Sequence, residues 1–126
     1  MRPTTLHAVA ERTREGDHFD RCLANFLDDF YRAPHADALS TAPDLLAPLL
    51  GELGQVQDAY LAATAEHLAY NHGFAVPAWT VAEERKLHRP WFASQLGALR
   101  ALLLLESPAA FRSRNIFISA NALTRA

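Results

Sequence analysis

The residues best equipped for chemistry are six histidines (His7, His18, His35, His67, His72 and His88), one cysteine (Cys22), and two adjacent acidic pairs, Asp28-Asp29 and Glu83-Glu84. A zinc site on a helix places its imidazoles at i and i+4, so that both share a face. His67 and His72 are five apart, no histidine pair sits at three or four, and a lone cysteine makes no thiolate cluster. No metal and no cofactor is expected. Adjacent carboxylates on a helix point about 100° apart, whereas acid–base work needs two groups converging where their pKa values are pushed apart. Both pairs therefore read as solvated. Cys22 falls on the apolar stripe of its segment, where a cysteine behaves as a small core residue rather than as an exposed nucleophile. No catalytic residue is assigned, and the chain is expected not to be an enzyme.

One further group points to recognition. Glu106 to Ile118 holds a Ser107-Pro108 turn, Arg112, Arg114 and Asn115, and an apolar Ile116-Phe117-Ile118. The arginines either offset the dipole of a short helix or pair with acidic residues elsewhere, or they project as planar forks of donors into a partner. Trp79 and the pair Trp91-Phe92 are open to two readings in the same way. Large aromatics in turns lid a core, and they also serve as interface anchors.

The elements that must position these groups read as helices. Leu6 to Glu15 is a short helix stopped by Gly16. Asp17 is expected to cap the next, which runs to Arg32 with Phe19, Cys22, Leu23, Phe26, Leu27 and Phe30 at three- and four-residue spacing. From Pro34 to Gly54 the prolines predict one-turn helices, with Pro34 and Pro43 at first helical positions. Gln55 to Asn71 is the longest helix, its inner stripe Val56, Tyr60, Leu61, Thr64 and Leu68, ended by Gly73. Thr80 to Glu83 fits a capping box, and Pro90-Trp91-Phe92 an aromatic turn. Ser94 caps an apolar helix carrying Leu96, Leu99, Leu102, Leu103 and Leu104. Ser107-Pro108 starts another helix, and Ala122 to Ala126 forms a last turn. Ile116-Phe117-Ile118 is the one plausible strand, too short for a sheet. The class is all-α, with about five to seven helices and Pro-rich connections.

At 126 residues the chain fits one domain, 1–126, and half of its residues are hydrophobic, enough to fold without disulfide or metal. The N-terminus lacks a secretory pattern and no apolar run spans a bilayer, so the expected location is cytoplasmic with no membrane partner. Net charge is −2, but it is unevenly spread: residues 1–72 carry five arginines against eleven acids, and residues 73–126 carry seven basic residues against three glutamates. This asymmetry is either local bias on a solvated surface, or a basic face that meets an acidic partner or the acidic half of a second copy.

The ordered series Pro77-Ala78-Trp79-Thr80, Pro90-Trp91-Phe92, Leu99-Arg100, Ser107-Pro108, Phe111, Arg114, Ile116-Phe117-Ile118 and Leu123 resembles the C-terminal domain found behind Xre-type helix-turn-helix domains in bacterial regulators. The likeness covers roughly residues 56–126. It implies an antitoxin-like role beside a nucleotidyltransferase-like toxin. Residues 1–50 show no helix-turn-helix, because Pro34, Pro43 and Pro48 interrupt the segment that would read DNA, and this half is acidic. The expectation is thus a non-enzymatic protein-interaction module, antitoxin-like or a regulator lacking its DNA-binding domain. Its partner would be another protein or a second copy, bound through Trp79, Trp91, Phe92, Arg112, Arg114 and Asn115. Alternatives are a small helical enzyme or ligand-binding protein with a pocket under the Pro-rich segment near His18, His67 and Asp20, or a DNA-binding regulator.

Overall fold

The computed structural model describes residues 2–94 and 97–125. Among these the fold is all-α, with seven α-helices: α1 (Leu6–Arg14), α2 (Phe19–Arg32), α3 (Asp37–Ser40), α4 (Ala47–Leu50), α5 (Glu52–His72), α6 (Gly97–Glu106) and α7 (Ala109–Arg112). Two 3₁₀ turns, Ala78–Val81 and Glu83–Arg85, follow α5, and two short strands, β1 (Trp91–Phe92) and β2 (Ile116–Phe117), flank α6 and α7. None of the described helices is long and apolar enough to cross a membrane.

The central element is α5. Past its first turn, where Leu53 is exposed, its leucines and alanines are buried on nearly every side, with Ala59, Leu61, Ala62, Ala63, Ala65, Leu68 and Ala69 all at 0% exposure. The predicted stripe holds for Leu61, Thr64 and Leu68, whereas Val56 and Tyr60 are only half-buried. Alanine explains the difference: it forms helix well and lets neighbours approach from several sides, so no one-sided pattern is needed. On one side lies α2, burying Cys22, Leu23, Phe26, Leu27 and Phe30 as its spacing predicts. An aromatic cluster closes that end, where His72 and Phe74 meet Phe30 edge-on at 5.0 and 6.5 Å between ring centroids. Gly73, in the left-handed conformation, ends α5 as expected.

The entry into α5 depends on Gly54. A Cβ at this position would lie 2.5 Å from the backbone carbon and oxygen of Leu46 and 2.6 Å from the nitrogen of Ala47. One turn further on the same face, Asp58 accepts hydrogen bonds from those amides, Leu46 N–H to Oδ1 (2.7 Å) and Ala47 N–H to Oδ2 (3.1 Å). Gly54 allows the close approach, and Asp58 satisfies donors that the start of α4 leaves without helical partners.

Several local expectations change. The long helix begins at Glu52, directly after α4, because Gly51 turns the chain with φ 66°. His18 occupies the cap position of α2; Asp17 lies one residue earlier, where its carboxylate takes the His18 N–H and the Arg21 guanidinium. Pro34 and Pro43 lie outside helices, and Pro48 is the proline in a first turn. Thr80 makes no capping box, since its hydroxyl donates to the Pro77 carbonyl (2.8 Å) within the first 3₁₀ turn. Pro90-Trp91-Phe92 leads into β1, which pairs in parallel with β2 (Trp91 with Ile116, Phe92 with Phe117). Two residues each make a strand here because the α6–α7 crossover returns the chain beside itself, the connection that parallel pairing requires. Ser107 does not cap α7; it is buried and its hydroxyl donates to the Ile116 carbonyl (2.9 Å), bracing β2. Ala120 to Leu123 forms hydrogen-bonded turns rather than a helix, held by Tyr31 Oη donating to the Leu123 carbonyl (2.9 Å). Leu96 and Ala126 lie outside the described residues, as does the turn that Ser94 was expected to cap.

Replacing Gly54 with alanine would improve intrinsic helix propensity by about 1 kcal/mol. The clash is with backbone that cannot rotate away, and overpacking of this kind costs about 1–3 kcal/mol or more. Gly54→Ala is therefore expected to lower the denaturation midpoint, and an unchanged midpoint would contradict this packing.

Candidate functional site

The six residues expected to face a partner separate into inward and outward groups. Arg114 reaches inward at 5% exposure. Its Nη1 donates to Glu66 Oε1 on α5 (2.7 Å) and to the Ala110 carbonyl (2.7 Å), and its Nη2 donates to the Thr80 carbonyl (2.8 Å). One guanidinium thus ties α5, α7 and the first 3₁₀ turn. It does not project from the turn, because the carbonyls and carboxylate that satisfy it lie beneath, and the reading in which it pairs with the acidic half describes it. Asn115 has φ 64°, a region asparagine tolerates. Its Nδ2 donates to the Leu87 carbonyl (2.7 Å) and its own carbonyl accepts from Trp91 N–H (2.8 Å), so it joins the two strands.

Trp79 packs against the core, its Nε1–H donating to the Leu39 carbonyl (2.9 Å), and the Arg85 guanidinium stacks 4.9 Å from its ring centroid. Trp91 is half-buried and also packs on the core. Phe92 stacks on Phe117 at 5.0 Å and carries the Arg100 guanidinium at 5.0 Å from its centroid. Arg112 is the outward member, fully on the surface of α7.

Sequence reasoning did not single out Arg85 or Asp58. Arg85 is 4% exposed and Asp58 0%. Arg85 donates to the Pro43 carbonyl and to the Asp58 backbone carbonyl (3.4 Å), while Asp58 Oδ1 stands 3.9 Å from its Nη1. Burial raises the Asp58 pKa against the lowering effect of the two amides and of Arg85. The Gly54-to-Asp58 spacing could have signalled the approach of Asp58 to the Leu46 and Ala47 amides, and no sequence spacing signals its approach to Arg85. A third cross-pairing, Arg125 to Asp28 (2.8 Å), pins the C-terminal segment to α2.

The α6 helix contrasts with these inward-facing groups. Leu103 is buried at 7%, but Leu99, Leu102, Leu104 and Leu105 are 39%, 48%, 45% and 80% exposed. The leucine pattern predicts an apolar helix; of its described leucines only Leu103 is buried, with β2 the main element packed against α6. Leu99, Leu102 and Leu105, at three-residue spacing on one side of a helix without a charge between Ala101 and Leu105, form an apolar face that this chain leaves uncovered among the described residues, and Leu104 is exposed on another side.

His18, His67 and Asp20, the polar lining expected for a pocket, line neither of the two grooves beside the 3₁₀ turns. His18 and Asp20 are exposed on the first turn of α2, and His67 lies against Phe111, 6.3 Å between ring centroids. One groove, of about 240 Å³, is lined by Glu66, Thr80, Arg85, Lys86, Ser113 and Arg114 among others. Another of about 430 Å³ runs beside the Pro-rich segment, with Leu45, Pro48, Glu83, Glu84 and His88 in its walls. Among the described residues no three metal-ligating side chains converge. Compared with family models, with curated proteins and with solved structures, the chain gives no match.

Two predictions follow from the burial of these groups. Arg114→Ala strips Glu66 and two carbonyls of their donor and is expected to cost about 3 kcal/mol or more. Arg112→Ala, at an exposed position, is expected to stay within about 0.5 kcal/mol. Equal effects in chemical denaturation would refute the inward placement of Arg114. Burial and the neighbouring His72 lower the His67 pKa below 6.5. The unfolded chain then binds the proton more readily, so the contribution of His67 is complete above pH 6.5 and is lost as pH falls below it. Stability should decline from pH 7 to pH 5 by more in the parent than in His67→Gln, and matching pH profiles would contradict this.

Proposed function

We infer that the chain is a non-enzymatic protein-interaction module that docks through the outer face of α6 and the exposed Arg112 of α7. The observation that carries this reading is the exposure of Leu102 and Leu105 on a helix anchored through Leu103. Water penalises such a face at about 25 cal/mol per Å² of apolar surface, and contiguous exposed apolar patches mark interaction sites in folded proteins. Arg112, exposed on α7, supplies a planar fork of donors suited to bidentate contacts with a partner's carboxylate. Trp79, Trp91 and Asn115 support this surface from below, holding the strands and 3₁₀ turns on which α6 and α7 stand.

An antitoxin-like role, or that of a regulator without its DNA reader, is supported by the resemblance of residues 56–126 to the domain behind Xre-type helix-turn-helix domains. The partner under that reading is a nucleotidyltransferase-like toxin. A leucine face would suit the centre of such a contact, since the fully buried core of an interface is more apolar than its rim.

The test replaces Leu102 and Leu105 by glutamate in the tagged chain and purifies both forms from the native host. Both positions are exposed, so the melting temperature should hold. The parent is expected to retain one stoichiometric partner that the variant loses. Recovery of the same proteins with both forms would overturn the assignment of α6 as the docking face.

A further inference from the structure

The groove between the 3₁₀ turns and α7 has an unbalanced charge. Its walls carry Arg85, Lys86 and Arg114 against one carboxylate, Glu66. Two of the three cations are nearly fully buried, at 4% and 5% exposure, which is rare for arginine unless an anion accompanies it. Arg114 has its anion in Glu66 at 2.7 Å. Arg85 has a longer, shared pair: Asp58 Oδ1 stands 3.9 Å from its Nη1, and the Asp58 carboxylate is also engaged by the amides of Leu46 and Ala47. The other Arg85 acceptors are neutral carbonyls, of Pro43 and of Asp58. Lys86 stands exposed at the mouth of the groove and makes no ion pair among the described residues.

We propose that this groove receives a carboxylate, the side chain of an acidic residue presented by a partner protein. A volume of about 240 Å³ admits one side chain and not a helix. Entry of a monoanion past Lys86 brings a second negative charge toward Arg85, whose pair with Asp58 is long and shared, in surroundings that strengthen charge-assisted hydrogen bonds relative to water. Glu66 in the same wall disfavours a dianion such as phosphate, which would face a like charge there. The Ser113 hydroxyl, bonded to the Ala110 carbonyl at 3.2 Å, lines the opposite wall and can rotate to donate. The identification of a partner protein as the source of the carboxylate rests on the docking function proposed above; the site itself stands on its own charge and geometry.

The test is a titration of the isotopically labelled full chain with a hexaglutamate peptide, and separately with inorganic phosphate, read on backbone amide resonances. Saturable shifts confined to residues 80–86 and 113–114 are expected with hexaglutamate, and several-fold weaker binding in Lys86→Glu at unchanged melting temperature. The affinity should also fall with added salt. The proposal is overturned if hexaglutamate gives no saturable shift, if Lys86→Glu binds it equally well, or if phosphate binds as tightly. Leu102→Glu with Leu105→Glu should leave this titration intact, so a failed α6 interface and a failed groove give different results.

Discussion

Two arginine side chains fix how the second half of this chain sits on the first. Arg85 and Arg114 extend inward to α5, where each meets main-chain carbonyls as well as an acidic residue, Asp58 or Glu66. A buried guanidinium is tolerable only when acceptors surround its fork of donors, and those acceptors must come from fixed backbone. Arg114 binds carbonyls of the first 3₁₀ turn and of α7, so neither element can shift without leaving a charge unsatisfied. Arg85 does the same for the approach to α4. Asp58 completes that corner by holding the first amides of α4, at a distance only Gly54 permits.

This arrangement accounts for the charge asymmetry along the chain. Three of the arginines in residues 73–126 pair with acids of residues 1–72, as Arg85–Asp58, Arg114–Glu66 and Arg125–Asp28. The acidic and basic halves are complementary within one molecule. Basic side chains left over, notably Lys86 and Arg112, border the groove and the α7 surface, which is where recognition is proposed.

Much of the fold was legible in the sequence. The three- and four-residue apolar spacing of α2, the glycine that ends α5 and the all-α class all follow from local rules. Elements settled by distant contacts were not legible. The burial of α5 on most sides is hidden because alanine carries little periodic signal. The strand pair β1–β2 depends on a crossover that returns Ile116 beside Trp91, and nothing in either dipeptide shows it. Capping residues were misplaced by a position or assigned other partners, since Asp17, Thr80 and Ser107 each found a closer acceptor or donor. Of the candidate site, the aromatics and Asn115 were found as residue types, but their direction was not readable: the same Arg-x-Arg spacing sends Arg112 outward and Arg114 inward. The leucines of α6 mark an apolar helix, but hydrophobic spacing does not say which of them the chain covers.

The central claim is that buried arginine contacts, rather than apolar burial alone, hold residues 80–118 on α5. Native-state hydrogen exchange on Arg114→Met tests it most directly, because methionine keeps much of the side-chain volume and removes the charge and donors. The account predicts that the amides of Leu87, Trp91 and Ala93, which donate to the carbonyls of Arg114, Asn115 and Phe117, lose protection while those of α2 and the middle of α5 keep theirs. Unchanged protection at Leu87, Trp91 and Ala93 would contradict it.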